Sequence, residues 1–283
     1  MVDKTPFRLS LPALTAYVAC AQRFALEHIE KVPEHERALD PVLGIDSAIR
    51  LAILRFFRHG GLAARSLADL LDGLGRHWPA RSMFADDDGC HDAFQHAQGL
   101  LESFYRHPYP EGVAHEVDFD RFAAWPEAKG GVLLSGYLDR TVLLQDGTIE
   151  VLIYKTRDFP RKGTTLEPSI EALGYYSLAD AVYGQWATGE VRLTYVNLDG
   201  MVAATLEIER GKFDRRWRLL QPTLDGLRRD RRHFERGLML HEAFPMNRGP
   251  RCAGCSMRRH CDRTLEWHRE TFLGEGTGDV PEY

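Results

Sequence analysis

Three cysteines late in the chain, Cys252, Cys255 and Cys261, follow a C-x2-C-x5-C spacing inside PMNRGPRCAGCSMRRHCD, residues 245–262. Thiols gathered this closely in a Pro- and Gly-containing stretch form a metal-binding pattern, because soft cations and iron–sulfur clusters take several thiolate ligands. A closed site needs four ligands, so one must come from elsewhere in the chain. Cys20 is the natural supplier of a fourth sulfur, and His260 is the competitor that would make a zinc site. A second grouping lies at 136–156, GYLDRTVLLQDGTIEVLIYKT, with the carboxylate of Asp139 and the amine of Lys155. Carboxylates supply the oxygen ligands that hard divalent cations require.

A β-hairpin must set Asp139 and Lys155 relative to each other. Two runs rich in Val, Ile, Leu, Thr and Tyr flank Asp146-Gly147, the turn chemistry of a hairpin. A two-residue turn at Asp146 and Gly147 would set Asp139 opposite Tyr154. A three-residue loop, Gln145 to Gly147 with Gly147 left-handed, sets it opposite Ile153. In the second register Asp139, Ile153 and Lys155 share a face, since strand side chains alternate.

Gly136-x-x-Asp139-Arg140 on the first strand and Tyr154-Lys155-Thr156 ending the second resemble the centre of the PD-(D/E)XK nucleases, in their RecB-like branch. The resemblance implies that two carboxylates hold Mg²⁺ or Mn²⁺, that the ion activates a water, and that the lysine helps position it. Asp139 and Lys155 would then be catalytic. Two residues before the lysine, where that family has an acid, stands Ile153, which offers no ligand oxygen. Glu116, in a strand where related nucleases often carry an acid, and Glu171 are the carboxylates that could replace it as metal ligands beside Asp139. Glu171 and Tyr175 match the family's Gln-x-x-x-Tyr with Glu in place of Gln, and one helical turn apart they project together. Arg50 takes the helix position where the family often has a histidine, from which it could contact phosphate but not ligate a cation.

The segment around Cys20 extends the resemblance. Leu-Ser before a helix, Cys20-x-x-Arg23-Phe24-x-Leu26 within it, and the distant cysteine trio are similar to the one-plus-three arrangement of the AddB nuclease domain and of CRISPR-adaptation exonucleases. This implies a structural 4Fe-4S cluster on Cys20, Cys252, Cys255 and Cys261, with zinc as the alternative.

The formal net charge of −5, from 36 Lys and Arg against 41 Asp and Glu, argues against a protein that coats nucleic acid by bulk attraction. DNA would have to meet local patches: Arg157, Arg161 and Lys162 after the hairpin, and the arginine-rich stretch 212–237, which offers Arg228 and Arg232 to phosphates. Five cysteines, an odd number, suit a metal or cluster better than a disulfide framework. With no apolar run of about 18 residues and no signal-peptide core at the start, a cytoplasmic protein with no membrane span is expected.

Periodicity predicts helices over 9–31, 45–58, 63–77, 90–107 and 166–184, and a helical stretch over 212–237 bent at Pro222. Alternation predicts strands over 112–122, 132–144 and 148–156 and a second hairpin within 190–208 turning at Asp199-Gly200. Residues 33–43 read as a polar link, and Asp86–His91 as a solvated loop and helix start that leaves Cys90 a spare thiol. The expected fold is α+β with a restriction-endonuclease-like core, a mixed sheet of about five strands flanked by helices. Along the chain, 1–110 is expected as a helical region carrying Cys20, 111–240 as the nuclease-like core, 241–273 as a cysteine region packing back on the first helix, and 274–283 as a mobile tail. With Ile153 and Arg50 in place of an acid and a histidine, the function expected is that of a DNA-binding iron–sulfur protein with a degenerate nuclease fold. It would serve a DNA-processing, repair or defence complex with protein partners, on single strands or duplex ends. The alternative is an active Mg²⁺- or Mn²⁺-dependent DNA exonuclease using Asp139, Lys155 and Glu116 or Glu171.

Overall fold

The computed structural model describes residues 7–33, 41–107, 113–125, 132–156, 169–184, 191–207, 218 and 220–268. The chain divides into two compact units, Met1–Pro12 with Pro41–Pro222, and Ala13–Asp40 with Thr223–Tyr283. The helices within 41–183 thus share a unit with the sheet, while residues 13–40 join those after 222.

In the first unit, six strands form one mixed sheet: β1 (Phe7–Ser10), β2 (Val113–Trp125), β3 (Val132–Leu144), β4 (Ile149–Lys155), β5 (Val191–Asn197) and β6 (Val202–Glu207). β2 runs antiparallel along one side of β3, while β1, parallel, and β4, antiparallel, share its other side. β5 follows parallel to β4, and β6 antiparallel to β5. The four-residue β1 was not expected from the sequence; its partner Val132–Ser135 lies more than a hundred residues away.

The hairpin adopts the three-residue loop. Gly147 is left-handed at φ 83°, its N–H donates to the Leu144 carbonyl at 3.0 Å, and the Leu144 N–H donates to the Thr148 carbonyl at 2.9 Å. Asp146 Oδ1 accepts from the Thr148 N–H at 2.9 Å and stiffens the turn. Arg140 therefore pairs with Leu152, the register whose continuation sets Asp139 against Ile153. Pairing of β3 with β4 stops at Arg140–Leu152, whereas β4 continues along β5 to Lys155. The two strands part there, and the gap opens at Asp139.

Helices α1 (Leu11–Ala19), α2 (Ala21–Phe24), α3 (Pro41–Arg58), α4 (Gly61–Ala64), α5 (Leu67–His77), α6 (Asp87–Arg106) and α7 (Ile170–Tyr183) complete the order up to β5. Their starts are marked chemically: Ser66 and Asp69 form a capping box on α5, Asp86 caps α6 through the Gly89 N–H at 2.7 Å, and Ser169 caps α7 through Ala172. Pro41 opens α3, so the polar link is shorter than expected. Apolar faces of α3, α5 and α6 bury against Val142, Leu152, Tyr154 and Val196 of the sheet and against Leu198 just after β5. The motif glycine Gly136 has a steric reason: a Cβ there would lie 2.8 Å from Leu178 Cδ1 of α7. A larger residue would push α7 off the sheet.

In the second unit, the helix expected over 9–31 is interrupted at Cys20, whose backbone is extended at φ −166° and ψ 116°. α2 follows and runs into a π turn, Ala25–Ile29. α8 (Gln221–Glu235), which lies in this unit from Thr223, is followed by α9 (Leu240–Ala243) and α10 (Arg258–His268). Pro222 is the second residue of α8 rather than a bend, and 211–217 lie outside the described residues. Phe24, Phe244 and Phe234 form an aromatic core, with centroid separations of 6.0 and 6.3 Å. The Tyr17 hydroxyl donates to Asp230 Oδ2 at 2.8 Å and ties the two segments of this unit together. Among the described residues no helix is long and apolar enough to cross a membrane.

Candidate functional site

Residues of β3 and the end of β4 border a cleft of about 690 Å³, lined by Ser10, Asp46, Arg50, Gly136, Lys155 and Tyr175 among others, with Asp139 beneath Arg50 rather than in the lining itself. Asp139 is 2% exposed, and its Oδ1 accepts from Arg50 Nη1 of α3 at 2.7 Å. A buried carboxylate is costly unless paired, and this guanidinium compensates it. Lys155 Nζ donates to Glu171 Oε1 of α7 at 3.0 Å and stands 5.8 Å from the Tyr195 ring centroid. Burial pushes the Tyr175 hydroxyl well above the usual phenol range, and the negative charges of Asp139 and Glu171 add to it. Tyr175 therefore remains a neutral phenol between the two carboxylates.

The structure thus brings Arg50, Asp139, Lys155, Glu171 and Tyr175 into one neighbourhood. Ile153 lies in their midst, 2% exposed, where an acid would complete a metal site. Glu116 does not join them. It pairs with Arg140, Nε to Oε2 at 3.0 Å and Nη2 to Oε1, and Arg140 leaves β3 on the side opposite to its neighbour Asp139. The β2–β3 register shifts between Glu116 and Asp118, and Asp118 accepts from the Tyr183 hydroxyl of α7 at 2.9 Å.

Asp46, one helical turn before Arg50, was missed by the sequence reading. It accepts from the hydroxyl of Thr156, the last residue of the Tyr-Lys-Thr motif. Its signal was its spacing from Arg50, visible once α3 was known to face the strand ends.

The basic residues divide. Arg157, Arg161 and Lys162 lie outside the described residues. On α8, Arg228 pairs with Asp225 at 3.0 Å, Arg229 with Asp230 at 3.0 Å and Arg231 with Glu235 at 2.7 Å. Arg232 Nε donates to the Arg228 carbonyl at 3.3 Å. Intrahelical acids thus balance much of the positive charge read from the sequence.

In the second unit Cys20, Cys252, Cys255 and Cys261 line a cavity of about 380 Å³ together with Arg23, Asn247, Arg248 and Arg258. His260 is not part of that lining. All four cysteines are free thiols. The Asn247 N–H donates to Cys20 Sγ at 3.4 Å, its side-chain amide donates to the Ala19 carbonyl at 3.2 Å, and Cys252 Sγ lies 3.9 Å from the Asn247 carbonyl. Asn247 thereby bridges the two stretches that carry the cysteines. Burial, then the neighbouring Cys255, Cys20 and Cys252, push the Cys261 thiol up to about 11. Among the described residues no group of three or more His, Cys, Asp or Glu is set to hold a metal ion.

No curated protein matches the chain. Chains of solved structures do, 11 in number. One, described as "Crystal structure of SSO0001", is 13% identical over 77% of this chain and 74% of that one, with a TM-score of 0.31. Residues 8–262 match the PD-(D/E)XK nuclease superfamily, a span that holds the parted strands, Asp139, Lys155 and all four cavity cysteines. The chain belongs to the PD-(D/E)XK nuclease superfamily.

Proposed function

We propose that this protein is a DNA-binding iron–sulfur member of its superfamily whose nuclease centre has lost hydrolysis. The observation that carries this reading is the pairing of Asp139 with Arg50, beside Ile153 in the position of an acid. The superfamily typically uses Mg²⁺ or Mn²⁺, but the donor set here fits such an ion poorly. Ile153 offers no oxygen, and the two carboxylates near the gap already hold a guanidinium and an ammonium at 2.7 and 3.0 Å. A hard dication needs several free oxygen ligands.

The cysteine cavity suits a cluster better than a single ion. Zinc bound at ~2.3 Å holds its four sulfurs roughly 3.8 Å apart. Four thiols lining one cavity of about 380 Å³ match the all-thiolate ligand set of an iron–sulfur cluster. When bound, such a cluster supplies four iron–thiolate bonds. Cys20 holds it from the N-terminal segment of its unit, and Cys252, Cys255 and Cys261 hold it from the other. Its role is structural, within a DNA-processing, repair or defence complex.

A second reading rests on the contact between Glu171 and Lys155. A carboxylate has reached the motif lysine from α7, as an active exonuclease with a relocated acid would require. The experiment that separates the two readings compares anaerobically purified protein with Lys155→Ala on single- and double-stranded DNA in Mg²⁺ and Mn²⁺. The first reading predicts DNA binding and no cleavage by either protein. Cleavage lost in Lys155→Ala establishes the second.

A further inference from the structure

Two aromatic rings at the rim of the cleft are not accounted for by the charges around Asp139. Phe122 of β2 and Tyr137 of β3 are directly paired across the strands, with centroids 5.4 Å apart and planes at 66°. Yet they are 54% and 52% exposed. Among residues whose burial is described, they are the two exposed Phe, Tyr or Trp side chains. Tyr137 lies two residues before Asp139 on β3. Both rings line the same cleft as Arg50 and Lys155, whose side chains are 35% and 30% exposed.

The pairing of exposed rings with half-accessible cations has a specific chemical complement. An unpaired nucleobase offers a π face to stack on an aromatic ring, and its phosphate offers a negative charge to the nearby arginine and lysine. A base within a duplex has both faces covered by its neighbours and cannot use the rings. A hydrophobic protein partner would use the rings but not the cations beside them.

We propose that Phe122 and Tyr137 form a stacking shelf for unpaired bases of single-stranded DNA, with the adjoining phosphates passing Arg50 and Lys155. The proposal rests on the DNA-binding reading above and adds the strand form that is bound. The shelf holds the strand without reading its sequence, because every base has a π face.

The test is fluorescence anisotropy of the full-length, anaerobically purified protein with a labelled single-stranded oligothymidine, its duplex, and an abasic strand of equal length. Stacking is expected to make Phe122→Ala/Tyr137→Ala bind the single strand roughly 5- to 100-fold more weakly. Duplex and abasic affinities should stay unchanged. Phe122→Tyr and Tyr137→Phe, which keep the rings, should hold affinity within about twofold. Circular dichroism melts of every variant guard against misfolding, and the ring-keeping pair shows whether the rings themselves matter. Unchanged single-strand affinity in the double alanine variant would overturn the shelf alone, including the case in which that variant instead alters the oligomeric state. Absence of all oligonucleotide binding by the unsubstituted protein would overturn the DNA-binding reading with it.

Discussion

Arg140→Ala is expected to destabilise the sheet unit by about 2–5 kcal/mol, mainly through the cavity left by a buried side chain, since the Glu116 side chain that pairs with it is 35% exposed. Arg140 is 3% exposed in the central strand. Its guanidinium binds Glu116 with two nitrogens, lies 3.3 Å from the Tyr154 hydroxyl and stands 3.7 Å over the Phe57 ring. Burial alone works against its charge, but Tyr154 and Glu116 outweigh that and hold it firmly protonated. Alanine would strand the Glu116 carboxylate, leave the buried Tyr154 hydroxyl without this nitrogen and open a cavity against Phe57. Urea unfolding should show a lower midpoint with an unchanged slope. Arg140→Lys, which keeps the charge but not the planar fork, should fall between. A loss below about 1 kcal/mol for the alanine variant would mean that the pair is screened as at an open surface.

Cys20→Ala is expected to release the proposed iron–sulfur cluster and loosen the second unit. Cys20 stands at the break between α1 and α2, where its extended backbone takes it out of the helix and into the cavity lining. A cluster held there joins segments more than two hundred residues apart in sequence, so binding free energy becomes folding free energy. The variant should lose visible absorbance and most of its iron, and its melting temperature should fall. Cys90→Ala is the control, since Cys90 lies on α6 in the other unit and should leave iron content untouched. Iron content equal to that of the unsubstituted protein in Cys20→Ala would remove Cys20 from the ligand set. Zinc in place of iron would assign a mononuclear site.

Much of this was legible because it is local. Asp146-Gly147 announced the hairpin, and the left-handed Gly147 chose between two registers that the side chains alone left open. The Glu171 and Tyr175 spacing survived because a helix turn carries it unchanged. What escaped depends on distant or irregular geometry. β1 exists only through its parallel partner on β3, and the break at Cys20 leaves the apolar periodicity on either side intact. The bulges in β2 leave no mark in its alternation, and Glu116 meets Arg140 rather than Asp139. The arginines of α8 and the acids interleaved among them were both visible in sequence; which acid meets which arginine, Asp225 with Arg228 and Glu235 with Arg231, came from the contacts. The pair Phe122 and Tyr137 carried no sequence signal, since aromatic residues in strands are ordinarily buried.

The central claim is that the carboxylates at the parted strands serve Arg50 and Lys155 rather than a dication. Its most direct test is titration of the protein with Mn²⁺, followed by electron paramagnetic resonance of the free ion, beside Asp139→Asn and Glu171→Gln. The account predicts only weak Mn²⁺ uptake, alike in all three proteins. Uptake of one tightly held Mn²⁺ per chain, lost in Asp139→Asn and in Glu171→Gln, would contradict it and restore an active nuclease centre.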